Sequence, residues 1–329
     1  MSKTVKDIGE QGLLAKLLPL CAADTVGDDA AVVKVDAEQS LVVTTDVLVD
    51  GVHFSEATTG PEDVGWRAAA ANLSDIAAMG ASPLGITVSL ALTEDVPLNW
   101  VEKLYHGLND CLQQYQTAIL GGDVCRSAVV TVAITAFGQV LPERIIQRSA
   151  ARPGDTVVAT GFHGASRAGL ELLLQPEMGR NLAATERQYL ILAHQRPQPR
   201  LDVVEWLREQ EPTRMAGMDS SDGLADAVVQ ICRCSGVGAD LDATALPVPD
   251  VLTQLVNQEQ ALEWALYGGE DFELVLCLPS PLAEALVQRL GKGAAAIGKI
   301  TSDRQVKLKD RSGKLPPREL TLIEGFQHF

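Results

Sequence analysis

The residues of this chain best suited to chemistry are aspartates set in small-residue turns and at strand ends. They occur in Gly27-Asp28-Asp29-Ala30, Thr44-Thr45-Asp46, Asn72-Leu73-Ser74-Asp75, Gly121-Gly122-Asp123 and Asp219-Ser220-Ser221-Asp222-Gly223. Gly268-Gly269-Glu270-Asp271 has the same character. Glycine lets a backbone approach a ligand closely. A short carboxylate beside a hydroxyl is a hard-oxygen donor set, and Mg²⁺ takes a few carboxylates together with substrate phosphates. The pattern predicts phosphate chemistry assisted by several metal ions.

Regular structure must hold these residues in place. Ala30 to Val35 and Leu41 to Val49, rich in Val and Thr, read as strands. Glu62 to Met79 reads as a helix stopped by Gly80, with Ala68 to Ala71 permitting close packing on more than one side. Gly85 to Leu92 is a strand, Pro97 to Tyr115 a helix, and Thr117 to Leu120 a short strand ending at Gly121-Gly122-Asp123. Val129 to Val140 is a long β run, and a boundary follows near Leu141 to Pro153. The second half reads as strand Asp155 to Thr160, helices Ala165 to Leu174, Thr185 to His194 and Leu201 to Glu209, and then Met215 to Met218. The Asp219–Gly223 turn leads into a helix reaching about Ser235. Leu274 to Leu278 and Ala294 to Ile300 read as strands around a helix over Pro281 to Leu290. Strands and helices mixed without a βαβ rhythm predict two α+β domains, residues 1–140 and 141–329.

Side chains alternate along a strand, so Thr44 and Asp46 share one face and Thr45 takes the other. An aspartate inside a strand is unfavourable unless it is hydrogen-bonded or metal-bound. The competing reading of Asp46 is a carboxylate satisfied by backbone amides. Asn72, Asp75 and Met79 fall on one helical stripe. A buried Asp75 needs a partner, either a cation or a salt bridge to Arg67 or Arg126. Between strand and helix, Asp219-Ser220-Ser221-Asp222-Gly223 offers caps and free amides suited to a phosphate. Capping accounts for one of these residues but not for two serines and two aspartates together. His53, just past Asp50-Gly51, reads on its own as a satisfied histidine.

Composition narrows the classes. The chain has 329 residues, is 46% hydrophobic and carries a net charge of −16. So acidic a chain is poorly matched to nucleic acid, whose phosphates call for Lys and Arg, and an anionic nucleotide bound here would need added cations. No apolar run reaches the roughly 18 residues of a membrane span. Leu13 to Ala23, broken by Lys16, fits an amphipathic helix better than a signal peptide. Six scattered cysteines without a CxxC pair predict reduced thiols in a cytoplasmic protein. There is no P-loop, GxGxxG, HExxH, GxSxG or EF-hand pattern, and the five histidines do not cluster.

Taken in order, GDDA at 27–30, TTD at 44–46, DGVHF at 50–54, NLSDIAAMG at 72–80, GGD at 121–123, SSDGL at 220–224 and YGGED at 267–271 resemble the thiamine-monophosphate kinase family. The resemblance covers nearly the whole chain, and the ending GFQHF fits it too. That family belongs to the ATP-binding superfamily of aminoimidazole ribonucleotide synthetase and selenophosphate synthetase. The resemblance implies a two-domain α+β fold, with residues 1–140 binding ATP and Mg²⁺ and pairing as a homodimer through their sheet. Residues 141–329 would close over the active site. The implied reaction is ATP-dependent phosphorylation of thiamine monophosphate to thiamine diphosphate. Asp29, Thr44, Thr45, Asp46, Asp75, Asp123, Asp219 and Asp222 would hold several Mg²⁺ ions. Tyr105, Gly122, Asp123, Arg148 and Ser221 would contact ATP, and His53, Glu270 and Phe326 the thiamine phosphate. Phe326 could instead anchor the tail in the core. The alternatives to this function are a sister ATP-dependent synthetase, a non-catalytic divalent-cation binder and a degenerate relative acting in assembly.

Overall fold

The Val- and Thr-rich run of residues 40–49 is expressed as β1 (Ser40–Val49), whose side chains point in turn to a half-buried and an exposed face. The computed structural model describes residues 3–23, 25, 30–212, 214–311, 313 and 316–324. Contacts divide the chain into two compact units, Met1–Ile76 with Ala81–Pro142, and Ala77–Gly80 with Glu143–Phe329.

In the first unit the order is α1 (Val5–Leu17), β1, α2 (Pro61–Ala78), β2 (Ser82–Leu92), α3 (Leu98–Gln114), β3 (Ile119–Arg126) and β4 (Thr131–Val140). Its sheet runs β1-β4-β2-β3. The β1/β4 and β4/β2 pairs are antiparallel and β2/β3 is parallel. Val132, Ile134, Ala136 and Val140 of β4 are buried, on the side where Ile76 of α2 lies against Gly138. The alanine run packs as expected: Ala68, Ala69 and Ala70 are wholly buried. A Cβ on Gly65 would lie 2.0 Å from the Leu104 carbonyl oxygen, and one on Gly107 only 1.7 Å from that of Glu62, so α2 and α3 meet backbone to backbone.

The second unit contains β5 (Thr156–Ala159), α4 (Ala165–Leu174), α5 (Ala184–Gln195), α6 (Leu201–Glu209), β6 (Ala216–Asp219) and α7 (Leu224–Ser235). There follow β7 (Gly238–Asp242), α8 (Leu252–Leu255), α9 (Gln258–Tyr267), β8 (Leu274–Leu278), α10 (Ser280–Leu290), β9 (Ala295–Thr301), β10 (Val306–Lys309) and β11 (Arg318–Glu319). The sheet order is β11-β10-β7-β9-β5-β8-β6. Its main core joins Val157, Met218, Val228, Ile231, Val275 and Ile297. A second core under α4 and α5 is built on Leu172, Leu190, Leu252 and Trp264.

Three sequence expectations change. Ala30 to Val35 forms no strand: a β-prone run becomes one only when it pairs with a neighbouring edge, and this run takes no place in the sheet β1-β4-β2-β3. The first helix spans Val5–Leu17 and gives way to a 3-10 turn, Leu18–Leu20, at Pro19, because proline cannot donate to the preceding helical turn. Gly121-Gly122-Asp123 lies inside β3 and not in a turn after it. The expectations also omit β7, α8, α9, β10 and β11, of which all but the 10-residue α9 are very short.

Candidate active site

In the first unit, β1 carries Thr44 and Asp46 on its half-buried face. The Thr44 hydroxyl donates to the Asp75 carboxylate of α2, so two separate elements meet in one hard-oxygen pair. Asp75 sits in a helix whose neighbours Asn72 and Ser74 are wholly buried. Arg126, one of the cations considered for Asp75, pairs with Glu94 at 2.6 Å, and Arg67 reaches the His53 carbonyl at 3.4 Å. Thr45 lies on the opposite face, where its hydroxyl donates to the Ile134 carbonyl at 2.8 Å. His53 closes the turn after β1: its Nδ1 accepts the Val49 N–H at 3.1 Å. In the neutral ring the proton then resides on Nε2.

The strand register decides where Asp123 points. Asp123 lies beside Ser89, Ser89 lies beside Ala133, and Ala133 alternates with Ile134, the partner of Asp46. Asp123 therefore faces the side opposite Asp46. Among the described residues, no group of three or more His, Cys, Asp or Glu side chains gathers at metal-holding distance. Asp29 lies outside the described residues, as does Phe326.

Along β3 a cavity of about 640 Å³ opens, lined in part by Leu17, Cys21, Tyr105, Gly121, Gly122 and Asp123. A Cβ on Gly122 would lie 2.1 Å from the Val88 carbonyl oxygen, so glycine is required there. At Gly121 a Cβ would meet nothing within 4 Å. Burial pushes the Tyr105 phenol well above its usual range, and the Cys21 thiol upward as well, so both stay neutral. A cavity with apolar walls and one carboxylate at its lining suits a flat heterocycle with a polar edge.

In the second unit, β6 ends at Asp219, 2% exposed, and the turn to α7 begins. Ser221 Oγ donates to Asp219 Oδ1 at 3.0 Å. The residue preceding α7 is Gly223, which has no side chain to cap the helix. The capping alternative for this turn is thus not what the N-cap position displays. The Glu270 N–H donates to the Ser221 carbonyl at 2.7 Å. Gly269 (φ +65°) makes that approach possible, since a Cβ there would lie 2.8 Å from the same carbonyl. Glu270 itself has φ +57° and Phe272 φ +51°, backbone conformations that non-glycine residues adopt at a cost. The Glu270 carboxylate lies 3.7 Å from His194 Nδ1. Arg148 is exposed on a 3-10 turn, and its charge and that of Asp222 both act on Asp226, whose carboxyl is raised chiefly by burial.

Sequence reasoning overlooked several groups around this turn. Asp271 accepts the backbone N–H groups of Gly164 (2.7 Å) and Ser166 (2.9 Å) at the start of α4. Burial pushes its carboxyl up to about 7 even so. Glu273 accepts from Arg200 at 2.5 Å and from Thr160 at 2.7 Å. His163 is wholly buried, with Nε2 3.0 Å from Ser220 Oγ. The only signal in the sequence for these contacts was the concentration of polar residues among glycines.

The chain matches AIR synthase related protein, N-terminal domain, over residues 27–140, and the C-terminal domain of the same family over 152–311. It is 52% identical over 333 aligned residues to the thiamine-monophosphate kinase of Synechococcus elongatus, covering 99% of this chain and 98% of that protein. A crystal structure of thiamine-monophosphate kinase from Stenotrophomonas maltophilia aligns with a TM-score of 0.78 at 32% identity, over 91% of this chain and 95% of that one. The structure of AaThiL complexed with AMPPCP and TMP aligns with a TM-score of 0.73 at 31% identity, over 97% and 99% of the two chains. With both domain families matched in order and such identity over nearly its full length, the chain belongs to the thiamine-monophosphate kinase family.

Proposed function

We propose that the chain transfers the terminal phosphoryl group of ATP to thiamine monophosphate, giving thiamine diphosphate and ADP. The observation that carries this reading is the likeness, over 97% of the chain, to AaThiL complexed with AMPPCP, an ATP analogue, and TMP. In the first unit ATP is assigned to the cavity beside Tyr105, Gly122 and Asp123. In the second, Arg148 and Ser221 are assigned to the same nucleotide. His53, Glu270 and Phe326 are assigned to thiamine phosphate. An aromatic face attracts the cationic thiazolium ring, a carboxylate pairs with the polar pyrimidine, and the histidine steadies the phosphate.

Asp29, Thr44, Thr45, Asp46, Asp75, Asp123, Asp219 and Asp222 are assigned to Mg²⁺. The donor chemistry fits: Thr44 with Asp75 and Ser221 with Asp219 are hard-oxygen pairs in direct contact. Mg²⁺ keeps several waters and takes one or two carboxylates along with substrate phosphates, so pairs serve where no cluster of three gathers among the described residues. Held by these residues, Mg²⁺ would supply positive charge to offset the negative charge of the phosphates during transfer. The protein then positions an acceptor that is itself a phosphate oxygen, so no general base is required and transfer is direct and in line.

Residues 1–140 are read as the nucleotide and dimerisation domain and residues 141–329 as the second domain. Leu41, Val43 and Val47 on the open face of β1 are 50%, 54% and 47% exposed, which supports a homodimer through this sheet. Among the described residues no helix is long and apolar enough to cross a membrane, and a cytoplasmic location is proposed with the rest.

Turnover of ATP with thiamine monophosphate and with unphosphorylated thiamine tests the reading. Product should form with the monophosphate only in the presence of Mg²⁺. Equal turnover of both acceptors would overturn it.

A further inference from the structure

His163 lies in the segment between β5 and α4, wholly buried, and no part of the reaction above uses it. Its main chain is fixed by a 2.9 Å bond from its N–H to the Pro247 carbonyl. Its ring makes two contacts, Nδ1 to the Gly161 carbonyl and Nε2 to Ser220 Oγ, both 3.0 Å. A carbonyl only accepts, so Nδ1 carries the proton. In a neutral ring Nε2 is then the acceptor, and the Ser220 hydroxyl must donate to it. The same hydroxyl also lies 3.1 Å from the Glu273 carbonyl, which accepts the Ser220 N–H at 2.8 Å as well, so Ser220 is tied both to His163 and to the start of β8. The contacts thus run from the Gly161 carbonyl through the His163 ring to Ser220. Ser220 is wholly buried and stands between Asp219 and Ser221, whose side chains bond each other.

We propose that His163 is a positioning residue. It holds Ser220, and through it the Asp219 and Asp222 carboxylates, in the arrangement that binds Mg²⁺ with the nucleotide phosphates. This rests on the reading of that turn under Proposed function. Partners behind a metal site fix the orientation of its ligands, and losing one commonly weakens metal binding about 10- to 100-fold.

Two substitutions separate the two ring contacts. His163→Asn keeps a donor near Gly161 but falls short of Ser220. His163→Gln extends an acceptor to Ser220 and gives up Gly161. The full-length protein is titrated with Mg²⁺ at fixed AMPPCP, and the rise in melting temperature gives a half-saturating Mg²⁺ concentration. For His163→Asn that concentration should rise about tenfold or more, while His163→Gln stays near the wild type. Ser220→Ala should shift it as His163→Asn does, and the double variant no further. Should His163→Asn fail to fold, Ser220→Ala alone carries the comparison.

If Asp219→Asn and Asp222→Asn raise the Mg²⁺ requirement while His163→Asn and Ser220→Ala leave it unchanged and merely lower the ligand-free melting temperature, His163 only packs and the inference fails by itself. If Asp219→Asn and Asp222→Asn also leave it unchanged, the turn does not hold the metal, and the reading falls together with the inference.

Discussion

The backbone N–H of Glu270 donates to the carbonyl of Ser221 across 2.7 Å, joining the turn after β6 to the loop that follows α9. Two segments nearly 50 residues apart thus share one backbone contact, and each carries residues assigned to a substrate. Gly269 stands at the closest point.

Gly269→Ala is expected to loosen this contact. A left-handed conformation costs an L-residue about 1–2 kcal/mol, and the new Cβ would lie 2.8 Å from the Ser221 carbonyl. Urea denaturation should show a loss of that size or more, and the KM for thiamine monophosphate should rise. An unchanged midpoint with unchanged kinetics would refute the contact's importance.

Gly121 and Gly122 are neighbours with opposite expected behaviour. A Cβ at Gly122 meets the Val88 carbonyl at 2.1 Å, whereas at Gly121 it meets nothing within 4 Å. Gly122→Ala should destabilise the protein by about 1–3 kcal/mol, the usual cost of forcing atoms into packed space. Gly121→Ala should fold normally, and by narrowing the cavity should raise the KM for ATP. Paired melting curves and steady-state kinetics distinguish the two.

Asp46, Asp75 and Asp123 form a third test. Asn at any of them should lower kcat by about 100-fold or more, as expected when charge that stabilises a transition state is removed. Without metal, Asp46→Asn and Asp75→Asn should be no less stable than wild type, because a like charge beside the same face of β1 has been relieved. Thr44→Val should weaken activity through Asp75, whose carboxylate accepts the Thr44 hydroxyl. Markedly lower stability of metal-free Asp75→Asn would favour a structural carboxylate instead.

The pH dependence of stability should carry the signature of Asp271. Burial raises its carboxyl from 3.8 to about 7 in the folded protein. The unfolded chain then releases this proton at lower pH than the native state does. The contribution to stability is complete below about pH 4 and is lost as pH rises toward 7, levelling off above it. Urea midpoints measured between pH 5 and 8 should fall more steeply for wild type than for Asp271→Asn. Parallel curves for the two proteins would contradict the shift.

Local periodicity determined much of this molecule. Once the Val- and Thr-rich run 40–49 is a strand, its two-residue repeat is enough to put Thr44 and Asp46 on one face of β1 and Thr45 on the other. Helix α4, helix α6 and strand β8 begin and end where their apolar periods do, and α2 stops just before Gly80. The order of the motifs along the chain also carried the resemblance that the family matches confirm. These features depend on neighbours within a few residues, so the chain displays them directly.

Which motif meets which follows from packing between distant segments. That Thr44 reaches Asp75 depends on how α2 lies against β1. The sequence read Gly121-Gly122-Asp123 as a turn, yet pairing with β2 draws it into β3, and the register turns Asp123 to the face away from Asp46. Gly269 at Ser221 and His163 at Ser220 are contacts between distant segments. No local pattern announces such contacts, because strand register and close backbone approach are settled by packing of the whole unit and not by the propensity of any one segment.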